Sequence, residues 1–181
     1  MIRLEPTTAL GDKTPFDETI GGIHIAEIAM PVLASLAMRR GKSAGFKRAA
    51  SSTFAGGLPA PGKSSGDAKR RVIWMGPDQY LVQGMDGAEL AAAFGANAAV
   101  TDQSDAWAGF TVGGTRCVAM LERLSSADSR RMAAGDATRT PMHHMHCVLI
   151  CREAGTGFTV YGPRSAAASL HHALTAAAAS L

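Results

Sequence analysis

Arg71-Val72-Ile73-Trp74-Met75-Gly76-Pro77-Asp78-Gln79-Tyr80-Leu81-Val82-Gln83 is two short apolar runs joined by turn residues. Val, Ile, Trp and Tyr suit a pleated, half-buried surface. Gly76-Pro77-Asp78 supplies the turn: proline presets φ, and glycine tolerates positive φ. The stretch therefore predicts a β-hairpin, with strands over 71–75 and 80–83. Around it, strands and helices mix without a strict βαβ repeat. That order predicts an α+β fold, with a mixed, largely antiparallel sheet and packed helices.

Upstream, residues 1–22 read as an N-terminal arm. Thr7, Thr8, Gly11, Asp12, Thr14, Pro15, Gly21 and Gly22 break any regular period. Ile23 to Ile28 reads as a strand, and Val32 to Arg40 as a strand or short helix, with the strand favoured by Gly41 and the segment after it. Ser43 to Phe54 sets Phe46, Ala50 and Phe54 on one helical face. Gly56 to Gly66 is a loop by composition. Neither half shows an independent core, so residues 23–181 read as a single domain.

Downstream, Asp86 is placed to cap a helix to Phe94, with Gly95 as its stop. Val100 to Val112 reads as a strand pair or one long bent strand, turned by Gly113-Gly114. Thr115 is expected to cap a helix with Val118, Leu121 and Leu124 on one face. A short helical turn is expected near 128–132. Met142 to Arg152 reads as a strand, with Phe158 to Tyr161 as its hairpin partner. Ser165 is expected to cap a final helix that buries Ala166, Leu170, Ala173, Leu174 and Ala177.

The 181 residues are 46% hydrophobic, but much of that share is alanine, so the core rests on scattered larger side chains. The net charge is +3 and the pI about 9.0. Cations come in small groups: Arg39-Arg40, Lys47-Arg48, Lys69 to Arg71, and Arg130-Arg131. With two Trp and two Tyr to interleave, nucleic-acid binding is disfavoured against a solvated face or a rim for an acidic partner. Three cysteines without a CxxC imply no disulfide framework and fit a reducing compartment. No signal peptide or membrane-length apolar run is visible, so a cytoplasmic protein without membrane partners is expected.

Several constellations could carry chemistry. His143-His144-Met145-His146-Cys147 offers soft metal ligands. On a strand, however, His144 and His146 share one face while His143, Met145 and Cys147 take the other. Further ligands would have to come from His24, His171 or His172, and half-buried strand positions are the better account. Cys117, Cys147 and Cys151 read as inert buried thiols. Asp102 and Asp105 fall on opposite sides of a strand-like segment, which disfavours a joint acid–base pair. Trp74 and Trp107 read as core or interface residues. Gly56-Gly57 and Gly113-Gly114 complete neither a dinucleotide fingerprint nor a P-loop. No catalytic, cofactor-binding or metal-binding residue is assigned to this chain.

Four ordered blocks carry a family resemblance. Ile73-Trp74-Met75-Gly76-Pro77-Asp78-Gln79-Tyr80-Leu81 resembles the hairpin signature of the gamma-subunit family of heterotetrameric sarcosine oxidases, which is shared more loosely by aminomethyltransferase-like folate-binding domains. Val100 to Trp107 resembles that family's next block. The helix from Cys117 to Leu121 and then Arg139-Thr140 follow, and Phe158 to Leu170 is similar to its last hairpin and helix. The resemblance spans roughly residues 23–178. It implies an accessory subunit with no cofactor of its own. FAD, FMN, NAD, tetrahydrofolate and zinc are then expected on the alpha, beta and delta partners, where sarcosine is demethylated to glycine with peroxide and methylenetetrahydrofolate as products. A stand-alone folate-binding domain, a related complex acting on another N-methyl amino acid such as N-methylglutamate, and a small metal carrier are the rival readings.

Overall fold

The computed structural model describes residues 6–181, in which the chain order is as follows. Strands β1 (Asp17–Ile20), β2 (Ile23–Glu27) and β3 (Leu33–Met38) lead into helix α1 (Ser43–Thr53). Then come β4 (Ser64–Gly66), β5 (Arg71–Gly76), β6 (Gln79–Gln83), helix α2 (Gly87–Phe94) and β7 (Ala98–Asp102). After β8 (Trp107–Gly113) and helix α3 (Cys117–Leu124) follow β9 (Ala137–Met142), β10 (Met145–Glu153), β11 (Gly157–Pro163) and helix α4 (Ala167–Ala179). The fold is α+β with antiparallel sheets, as the hairpin and its surroundings predict.

The span 23–181, read from sequence as one domain, holds two compact units. One consists of Met1–Met30, Ala106–Ala134 and Arg139–Leu181. Its six-stranded sheet runs β1-β2-β8-β11-β10-β9. Ile23, Ile25, Phe110, Val112, Leu149 and Phe158 are fully buried on that sheet, against Met120 and Leu121 of α3 and Leu170 and Leu174 of α4. The other unit consists of Pro31–Asp105 and Gly135–Thr138. Its five-stranded sheet runs β4-β5-β6-β3-β7. There α1 contributes Phe46, Ala50 and Phe54, and α2 contributes Leu90 and Phe94, to a core with Leu36, Val72 and Val82. The rings of Phe46 and Phe94 lie 5.2 Å apart and tilted, a favourable aromatic arrangement.

The central hairpin forms in register, Val72 opposite Val82 and Ile73 opposite Leu81, with a bulge between Trp74 and Gly76. The left-handed residue of its turn is Asp78, at φ +57°, and not Gly76. A proline followed by a residue of positive φ is the type II pattern, and aspartate tolerates it better than most residues. Asp86 caps α2 through its carboxylate, which accepts the Glu89 N–H at 2.7 Å, and Gly95 ends that helix at φ +50°.

Other local expectations are corrected. Within the arm 1–22, Asp17–Ile20 is a strand paired with β2, and residues 1–5 lie outside the described residues. Val100 to Val112 holds parts of two strands, β7 and β8, which belong to different sheets and do not pair with each other. Thr115 does not cap α3: the helix starts after Arg116, and the Gly114 carbonyl already takes the Cys117 N–H. Ser165 does not cap α4 either, because a single 3₁₀ turn over Arg164–Ala166 leads into it. Around 128–132 there is a turn and no helix. Fully buried Ser129 and the bond from Cys151 Sγ to the Met132 carbonyl tie that segment down by tertiary contacts. Ser64–Gly66, within the loop by composition, pairs with β5.

Candidate functional site

The His–Cys segment is not one continuous strand. Strand β9 stops at Met142 and β10 starts at Met145, so His143 and His144 make a two-residue hairpin turn at φ +44° and +68°. Two left-handed residues are what a tight hairpin of the right twist demands, and histidine enters that region more readily than most side chains. Both rings are exposed, with centroids 5.7 Å apart. The alternation assumed for a single strand therefore holds only from Met145 onward, where His146 is exposed and Cys147 buried. Among the described residues, no three of His, Cys, Asp and Glu gather into a metal-binding group. The remaining histidines are placed elsewhere. His24 meets Asp17 at 2.6 Å, and His171 lies edge-on to Phe16 at 4.3 Å.

All three cysteines are buried. Burial pushes the Cys117 thiol up to about 11, although the Arg152 charge opposes the shift. Burial likewise pushes Cys147 up to about 11. Cys117 Sγ donates to the Thr156 carbonyl at 3.5 Å, so its hydrogen-bond partner is a backbone acceptor and not a catalytic base. Thiols in this state are poor nucleophiles near neutral pH.

The paired aspartates also separate. Asp102, exposed at the end of β7, accepts the Ser104 N–H at 2.8 Å, and that bond holds its carboxyl below the usual range. Ser104 in turn accepts the Leu33 N–H at 3.1 Å. Asp102 thus organises a turn, and Asp105 follows it as an exposed residue. Trp74 and Trp107 are each half-buried, and the Trp107 indole N–H is buried without a partner. Gly114 sits at φ +129°, where a Cβ would come 2.7 Å from the Gly22 carbonyl. That glycine serves the close approach of two backbones and not a phosphate cradle.

Each unit has one cleft of note. In the first, a shallow hollow of about 450 Å³ is lined by Glu122, Arg123, Ser125, Ser126 and both residues of the histidine turn, His143 and His144. Its charges are already engaged: Arg130 forks onto Glu122 at 3.0 and 2.9 Å, and Arg123 bonds the Ser180 carbonyl at 2.9 Å. In the second unit, a cleft of about 230 Å³ opens between the end of α1 and residues 65–72. That is below the roughly 300 Å³ at which small-molecule sites begin. Asp67 there accepts the N–H groups of Lys69 and Arg70 at 2.8 and 2.9 Å, which lowers its pKa, and Arg70 pairs with Glu89 at 3.0 Å. Sequence reasoning missed both clefts, because each is assembled from two short neighbouring segments that carry no recognisable motif. The first brings Ser125 and Ser126 into one hollow with His143 and His144, but among the described residues no hydrogen bond joins a serine there to a histidine, and Ser125 Oγ instead meets Thr140 Oγ1 at 2.7 Å.

No protein-family profile matches the chain, and no curated protein is similar to it in sequence. Solved structures do share its fold. A chain of the heterotetrameric sarcosine oxidase from Corynebacterium sp. U-96, in complex with pyrrole 2-carboxylate, superposes with TM-score 0.76 at 22% identity, over 87% of this chain and 84% of that one. The glycine cleavage system aminomethyltransferase T from Bartonella henselae superposes with TM-score 0.55 at 16% identity, over 82% of this chain but 44% of that one. The fold is therefore aminomethyltransferase-like.

Proposed function

We propose that this chain is an accessory, gamma-type subunit of a heterotetrameric sarcosine oxidase, and that it is inactive alone. The observation that carries the reading is the two-way coverage. The shared fold fills 87% of this chain and 84% of a chain from such a heterotetramer, whereas it fills 44% of the aminomethyltransferase. A match that is nearly complete in both directions supports that reading more strongly than the partial match to the aminomethyltransferase supports the alternative.

The side chains support a structural role. The thiols are buried, Asp102 is spent on a turn, and both clefts hold charges that are already paired. On this reading FAD, FMN, NAD, tetrahydrofolate and zinc belong to the alpha, beta and delta partners. Those partners convert sarcosine to glycine in the cytoplasm and release peroxide and methylenetetrahydrofolate. A second reading, an independent folate-binding domain, draws on the likeness to the aminomethyltransferase over 82% of this chain.

Coexpression with the neighbouring genes, affinity capture of this chain and an absorption spectrum of the captured material separate the two. A yellow complex of several subunits that consumes oxygen with sarcosine is expected, while the chain purified alone binds no flavin. A colourless chain recovered by itself, with folate bound tightly, would transfer the assignment to the second reading.

A further inference from the structure

The net positive charge of this chain arises in one segment. Residues 28–66 contain no Asp or Glu but carry Arg39, Arg40, Lys42, Lys47, Arg48 and Lys63. The segment therefore holds +6, and since the whole chain holds +3, the remaining residues hold −3. Five of those six cations lie between positions 39 and 48, in the connection from β3 to α1 and the first turns of that helix.

All five are exposed, and among the described residues none takes part in an ion pair. Elsewhere cations meet acids of their own chain: Lys63 with Asp136, Arg70 with Glu89, Arg130 with Glu122 and Arg131 with Asp128. The fold also orients the group. Phe46 and Ala50 turn inward, so Lys47 and Arg48 come to the outer side of α1 among Ala44, Ser51 and Ser52. These small side chains let another surface approach closely. Arg39 is held in place by its Nε, which donates to the Ala98 carbonyl at 2.9 Å. The start of α1 adds to the field, since Lys42 provides no side-chain cap and the first turn holds no acid.

We infer that the outer face of α1, with Arg39, Arg40, Lys42, Lys47 and Arg48, is the docking surface for a carboxylate-rich face of a partner protein. The inference rests on the accessory-subunit reading and names the face that reading lacks. A protein is favoured over nucleic acid because no exposed aromatic side chain lies among these cations to stack on bases. A cluster of cations without ion-pair partners among the described residues steers an acidic partner and penalises a basic one.

The test compares the full chain, coexpressed with the neighbouring genes, with two triple charge reversals. One is Arg40→Glu, Lys47→Glu and Arg48→Glu on the proposed face. The other is Lys13→Glu, Lys69→Glu and Arg131→Glu, equal in charge and also exposed. Circular dichroism checks that each variant folds. The face variant should associate with its partners about tenfold more slowly or worse at low salt, while the control variant assembles like the parent. On the unsubstituted complex, a zero-length carboxyl–amine crosslinker should join Lys42 or Lys47 to a carboxylate of a different chain. Equal loss in both variants, or an intact complex whose crosslinks avoid Lys42 and Lys47, overturns this inference and leaves the accessory-subunit reading standing. Crosslinks to a second copy of this chain, or capture abolished by nuclease, overturn it in favour of self-association or nucleic acid. A chain recovered alone overturns both.

Discussion

Glu27 shows how one residue decides the fate of a whole segment. It lies in β2 with 6% of its surface exposed, and its two carboxylate oxygens accept the N–H groups of Leu10 at 3.1 Å and Phe16 at 3.2 Å. Its own N–H donates to the Phe16 carbonyl at 2.7 Å. The glycines and prolines of residues 1–22 read as an arm because nothing local orders them. Over the described residues 6–22 much of the order comes from outside the segment: the Glu27 carboxylate, the pairing of β1 with β2, and Arg164, which donates to the Thr7 and Thr8 carbonyls. Replacing Glu27 with alanine would leave two N–H groups without their acceptor, at a cost of about 1–3 kcal/mol. The expected outcome for Glu27→Ala is a lower denaturation midpoint and faster proteolytic cleavage between Leu10 and Phe16. Unchanged cleavage there would mean that the pairing of β1 with β2 anchors the segment without help from Glu27.

Elements with their own period and punctuation were legible, and those fixed by distant contacts were not. The β5–β6 hairpin, α1 with Phe46 and Ala50 inward, and α2 with its Asp86 cap and Gly95 stop all follow from residues inside the element. The β9–β10 hairpin was missed because His143-His144 lacks the Asn or Gly that normally marks a two-residue turn. Without that mark, the candidate metal segment reads as one strand, whose alternation of faces the turn at His143-His144 breaks. Left-handed φ at two non-glycine residues carries strain, so His143→Asn together with His144→Gly should stabilise the chain. The expected gain is about 1 kcal/mol, read from the denaturant midpoint. A loss would show that the histidine rings make contacts worth more than the strain they impose.

At the scale of the whole molecule, two sheets with separate cores were not foreseeable, because pairing partners lie far apart in the chain. Strand β8 pairs with β2 and β11, while β7, five residues upstream of it, pairs with β3. The direction of titration, in contrast, combines into one expectation for the entire chain. Asp67, Asp102 and Glu122 are held below their ordinary values by hydrogen bonds in the fold, chiefly from backbone N–H groups or from Arg130. A lowered carboxyl pKa gives stability that is present above the unfolded value, 3.8 for Asp and 4.5 for Glu, and is lost as pH falls below it. Cys117 and Cys147 act at the other end. Burial raises both from 9.0 to about 11, so unfolding releases their protons earlier, and stability is lost as pH rises from 9 towards 11. All five groups titrate outside the neutral range, so thermal unfolding should occur at the same temperature from about pH 5 to 8.5 and earlier on either side. Serine at both cysteines should shrink the alkaline limb to the part above pH 10 that Tyr80, also raised by burial, contributes, and leave the acid limb unchanged. An alkaline limb of undiminished size, still starting near pH 9, would remove the thiols from the account.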